Sequence, residues 1–154
     1  MAPVGDRWMD NDMTRALLAP AVVLIAWTLL VLLYLSVKRF GAFKAAGVDV
    51  GAHPGGRGGD LDQVLPKSAV WPSHNYTHLL EQPTLFYAVV AMLALLGAAS
   101  PTAATLAWGY ALLRMAHSVW QIAVNRIPVR LLLFTLSTLC LIALTVMALR
   151  AALI

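Results

Sequence analysis

Cysteine is nearly missing from this chain. Cys140 stands alone in an apolar run, so no disulfide can close within the chain, and the residue reads as a small core side chain. Charge is also scarce: Asp, Glu, Lys and Arg make up 12% of the residues, against roughly a quarter in soluble domains. Glu81 is the only glutamate, and no acidic residue follows it. The formal charge is +4, but the basic residues are scattered with no dense stripe, which argues against a nucleic-acid partner. No small-residue cleavage site follows the acidic N-terminal segment, so the first apolar run is expected to stay as a membrane span.

What remains is hydrophobic. Sixty per cent of the 154 residues are apolar, more surface than a soluble fold of this size could hide, so a lipid bilayer has to cover it. Four stretches are long enough to cross a hydrocarbon core that needs ~20 residues: about 16–37, 74–99, 102–124 and 129–150. The expected fold is an all-α integral membrane protein, one domain over residues 1–154, with four transmembrane helices in an up-down bundle. Ser73 is a candidate N-cap for the second helix. Ser100 with Pro101 offers a cap for the third, and Pro128 restarts the chain for the fourth. The short links between the later spans make sequential helices antiparallel neighbours.

One long connection, residues 38–73, reads as a flexible loop. Its Gly55, Gly56, Gly58 and Gly59 lack the following Lys-Ser/Thr and the preceding strand of a phosphate-binding loop. Lys38, Arg39, Lys44, Arg57 and Lys67 fall in this loop, while Arg126 and Arg130 flank the last link. The positive-inside rule therefore puts the long loop in the cytoplasm and both termini on the opposite side.

The spans themselves carry polar residues. An ionisable group at the bilayer centre costs ~2.5–3.5 kcal/mol on insertion scales, so such groups turn inward and find partners. At ~1.5 Å rise per residue, Glu81 and His117 both lie ~12 Å below the cytoplasmic ends of their helices. Arg114 is about one turn deeper and Gln121 about one turn shallower. Arg114, His117, Ser118, Gln121 and Asn125 follow the spacing of one helical stripe. His74, His78, Glu81 and Leu85 do the same on the second helix, beside Asn75 and Gln82. Two facing polar stripes make a cavity or a buried network, and a Glu81–Arg114 pair is the natural contact. A structural ion pair would account for those two alone; the larger group, with Arg130, points to a site. His74, His78 and Glu81 have a spacing compatible with zinc, but Asn75 after the first histidine departs from the His-Glu-x-x-His pattern, and no metal is expected. Ser118 beside His117 is a poor nucleophile pair, because adjacent helical residues do not face each other.

The stretch from Asn75 through His78, Glu81, Pro83 and Phe86 to Tyr87 resembles the second-helix signature of the MAPEG family, the membrane-associated proteins of eicosanoid and glutathione metabolism. Arg114, His117, Ser118 and Gln121, followed by Asn125, Pro128 and Arg130, resemble the family's third helix and the start of its fourth. The resemblance implies a homotrimer of four-helix protomers that binds glutathione between neighbours near the cytoplasmic side. It also implies a glutathione-dependent transferase or peroxidase acting on lipophilic electrophiles. By position, Arg130 would stabilise the glutathione thiolate as the catalytic residue and Glu81 would hold its amino group. His78, Arg114, His117 and Gln121 would line the pocket. Departures are visible. His78 stands where the family has Asn, Thr77 where the eicosanoid-forming enzymes are basic, Gln121 and Phe134 where they have tyrosines, and Leu131 where one has serine. These departures favour an alternative, a non-enzymatic lipid-binding or scaffolding protein. A third reading is a small transporter or proton path through Glu81 and His117.

Overall fold

The computed structural model describes residues 4–49, 51 and 58–154, with side chains described from Asp12 onward. The glycine-rich stretch and the start of the N-terminal segment lie outside the described residues, apart from Gly58 and Gly59. Five α-helices follow in order: α1 (Val4–Ala46), α2 (Lys67–Leu80), α3 (Gln82–Leu95), α4 (Pro101–Ala123) and α5 (Ile127–Leu153). A short 3₁₀ turn, Gly58–Leu61, precedes α2.

Three helical segments are long and apolar enough to cross a membrane: Asp12–Ala46, Lys67–Leu95 and Ile127–Leu153. The 23 residues of α4 are long enough, but Arg114, His117 and Gln121 lower its hydropathy. It sits centrally, packing most extensively on α5 and then on α1 and α2. The result is an all-helical membrane bundle.

The expected second span is two helices, not one. Pro83 has no N–H to offer the carbonyl of Leu79, and its ring disfavours helical geometry in the residue before it. The ladder breaks at Glu81 (φ −81°, ψ −95°), which ends α2 and begins α3. The break also changes the neighbours. α3 packs on α1 and α5, and its Phe86 stacks on Tyr110 of α4, ring centroids 4.2 Å apart. The simple picture of sequential neighbours is therefore incomplete for α3 and α4.

Two further boundaries moved. α1 continues nine residues past the expected end of its span, to Ala46. Its last turns are amphipathic enough to dock. Ala42 and Phe43 pack against Leu61, Leu65, Ala69 and Val70, a small apolar cluster separate from the main core. Much of the presumed loop is thus ordered helix. Ser73 is not a cap, because α2 starts six residues earlier behind Pro66; instead its hydroxyl accepts from Arg39 Nη1 at 2.7 Å, tying α1 to α2. Ser100 does cap α4, accepting from the Ala103 N–H at 3.2 Å, with Pro101 opening the helix.

The membrane core is built on small and aromatic residues. Ala103, Ala107, Tyr110 and Ala111 of α4 meet Leu17 and Leu24 of α1, Phe86, Val90 and Leu93 of α3, and Leu144 of α5. Gly109 lets α5 approach closely: a Cβ there would lie 3.4 Å from Cys140 Sγ. Cys140 is half-buried against this contact.

Candidate functional site

The site begins with two helix ends. α4 stops because Asn125 takes a left-handed conformation (φ 57°), and the N–H groups of Val124 and Asn125 both donate to the Trp120 carbonyl, at 2.9 and 2.8 Å. Asn is one of the few residues that tolerates this geometry. The same residue then positions a cation, since its Oδ1 accepts from Arg130 Nη1 at 2.7 Å. Arg130 lies in the first turns of α5, where the helix dipole adds further positive potential.

The other end is that of α2. The break at Glu81 frees the His78 carbonyl from the helical ladder, and Arg114 Nη2 donates to it at 2.6 Å. A guanidinium capping the negative end of a helix is a favourable arrangement. Arg114 is only 1% exposed, and its carbon Cζ lies 5.6 Å from the centroid of the Phe134 ring. Its Nε and Nη1 have no hydrogen-bond partner among the described residues.

The expected Glu81–Arg114 ion pair does not form. Glu81 faces outward at the kink with its side chain 58% exposed, and its carboxylate meets His78 Nδ1 at 3.1 Å. The depth estimate placed both residues at compatible levels, but the kink turned one side chain away. His74 also leaves the group: its Nε2 contacts Asp62 Oδ2 at 2.6 Å, so His74, His78 and Glu81 do not converge on a metal. Among the described residues, no cluster of three His, Cys, Asp or Glu side chains is arranged to hold one.

A cleft of about 390 Å³ opens where these elements meet, lined by His78, His117, Ile127, Arg130, Leu131 and Phe134. The His78 and His117 rings meet edge-on with centroids 6.2 Å apart, and His117 lies 6.4 Å from Phe134. The cleft therefore has an imidazole side, a guanidinium and an apolar wall. Of the six residues singled out from the sequence, His78, His117 and Arg130 line it. Arg114 and Gln121 are buried behind, each 1% exposed, and Glu81 stands beside His78 at the surface.

Two polar networks support this arrangement, and the sequence pattern only hinted at them. Ser118 Oγ accepts from Asn75 Nδ2 at 2.7 Å and from Trp27 Nε1 at 3.0 Å, joining α1, α2 and α4 directly beside His117. Gln82 donates to Thr138 Oγ1 at 2.9 Å and accepts from the Tyr110 hydroxyl at 3.3 Å, joining α3, α4 and α5. Asn75 and Gln82 flank the polar stripe of the second span. Pro83 was the available signal that they would face different partners.

The sequence model of the MAPEG family matches residues 17–150. The chain belongs to the MAPEG family. The match covers all five helices except the first part of α1 and the last residues of α5. This MAPEG chain matches no curated protein and no solved structure. Family membership and the long apolar helices together make it an integral membrane protein.

Proposed function

We propose that the cleft binds glutathione and that the protein is a glutathione-dependent transferase or peroxidase for lipophilic electrophiles, working as a homotrimer. The observation that carries this reading is Arg130. It is held by Asn125, it borders the cleft, and its buried Nε has no acceptor among the described residues. A cation fixed beside a thiol lowers the thiol pKa and keeps a nucleophile ready at neutral pH. Membership of the MAPEG family supports the choice of thiol.

The residues present fit part of such a ligand. Arg130 suits the thiolate, and the outward carboxylate of Glu81 suits the ammonium group of a ligand held between neighbouring protomers. The volume falls in the range of small-molecule sites, about 300–1,000 Å³. In transfer to an aryl halide, the thiolate sulfur forms a bond to carbon and halide departs. Ile127, Leu131 and Phe134 offer the apolar wall against which such a substrate would lie.

The test is conjugation of glutathione to an aryl halide by purified protein, with Arg130→Ala beside it. Without the cation less thiolate is present at neutral pH, so the rate should fall on the order of tenfold or more. Equal rates in the two proteins, or no rate in either, would sink the enzymatic reading.

A second reading, a non-enzymatic lipid-binding or scaffolding protein, draws on the apolar half of the same cleft and on exposed Thr77, which offers no charge to a carboxylate. Glutathione should then leave the melting temperature of detergent-solubilised protein unchanged, whereas a ligand of the folded state raises it.

A further inference from the structure

A second groove lies between α1 and α4, sharing no residue with the cleft. It has a volume of about 280 Å³ and is lined by Trp27, Leu30, Val31, Tyr34 and Ile122. The four α1 residues fall at i, i+3, i+4 and i+7, so they form one stripe that extends ~10 Å along the helix. Val31 is buried, while Leu30 and Tyr34 are 59% and 42% exposed, so the stripe forms both floor and walls. Trp27 gives its only polar atom inward, to Ser118, and leaves its ring body to the groove.

The groove has a polar end. Lys38 follows Tyr34 by one turn, and its Nζ lies 5.5 Å from the centre of the Tyr34 ring. This is where the apolar run of α1 gives way to basic residues. Among the described residues no ion pair involves Lys38. An apolar trough with a tyrosine and a cation at its mouth is complementary to one kind of bilayer component.

We propose that the groove holds one acyl chain of an anionic phospholipid, whose phosphate is bound by Lys38 and approached by the Tyr34 hydroxyl. A neutral solute would gain nothing from Lys38, and a soluble anion would gain nothing from the trough. The occupant needs both parts. The inference rests on the membrane location of the chain and is independent of any thiol chemistry in the cleft.

The experiment uses the full chain in phosphatidylcholine vesicles containing a fixed fraction of either brominated-chain phosphatidylglycerol or brominated-chain phosphatidylcholine. Bromine in the groove quenches the Trp27 fluorescence, read as the component removed by Trp27→Phe. Phosphatidylglycerol should be enriched at this position roughly fivefold, the size of one basic side chain's attraction to anionic lipid. Lys38→Gln should abolish that preference while leaving quenching by phosphatidylcholine intact, and Ile122→Phe, which fills the groove, should reduce both. Equal quenching by the two lipids, or a preference that survives Lys38→Gln, overturns the proposal. Quenching by neither also overturns it and would mean that a second copy of the chain covers the groove. Native mass spectrometry of the unmodified protein, exposed to an equimolar mixture of the two lipids, gives a readout that needs no variant. Preferential retention of phosphatidylglycerol supports the proposal, and equal retention overturns it.

Discussion

α4 and α5 are of similar length and pack on each other, yet they use their residues in opposite ways. α4 buries nine side chains, among them Arg114, His117, Ser118 and Gln121, whereas the longer α5 buries only four. The more polar helix is the more enclosed one. In water the order would be reversed. In a bilayer the apolar helix needs no shelter, while each ionisable side chain turned to lipid would cost several kcal/mol. Burial in this fold therefore follows polarity, and the bundle centre is where the candidate site formed.

The contrast can be broken by substitution. The largest effect is expected at Arg114. Arg114→Ala leaves the His78 carbonyl without its donor and opens a cavity under Phe134, so folding stability in detergent should fall by about 3 kcal/mol. Arg114→Met keeps the bulk and should lose about half of that. A neutral Arg114→Met would mean that relief of a buried charge cancels the hydrogen bond. Next comes the contact between the two helices. Gly109→Leu would drive a side chain into Cys140, since a bare Cβ already lies 3.4 Å from its sulfur, and should cost about 2 kcal/mol by overpacking. Recovery in Gly109→Leu with Cys140→Gly would locate the clash.

Smaller changes sharpen the comparison. Ser118→Ala strips the shared acceptor from Trp27 and Asn75 and should cost about 1 kcal/mol, near the usual value for interhelical polar contacts in membranes. At the bottom of the scale, Leu139→Ala on the exposed face of α5 should stay within about 0.5 kcal/mol, by the same denaturation measurement. A large loss there would show that this face is covered by protein and would favour the homotrimer.

Much of the fold was legible in the residues. Apolar length pointed to the long helices, three of which are apolar enough to cross a membrane, Ser100 and Pro101 marked the start of α4, and the spacing of Arg114, His117, Ser118 and Gln121 described a stripe that is buried in the fold. The pairing of that stripe was not legible. Depth along a helix is a local quantity, obtained by counting residues from one end. The direction a side chain takes after a break depends on how far the next helix rotates, and that is set by packing. Glu81 therefore turned to His78, while Arg114 found a backbone carbonyl released by the same break. The extension of α1 to Ala46 was hidden for a similar reason, because its last turns are held by an apolar cluster drawn from residues that lie well beyond them in the chain.

By itself the sequence determined that this chain must live in lipid, that its helices run roughly where the apolar stretches lie, and that α4 would carry its polar groups on one side. Those are consequences of solvation and helical periodicity, which act on neighbours in the chain. Only the tertiary structure decided that His78, His117, Arg130 and Phe134 share a cleft and that Glu81 stands outside it. Such choices depend on contacts between distant segments, and one proline at a helix break was enough to redirect them.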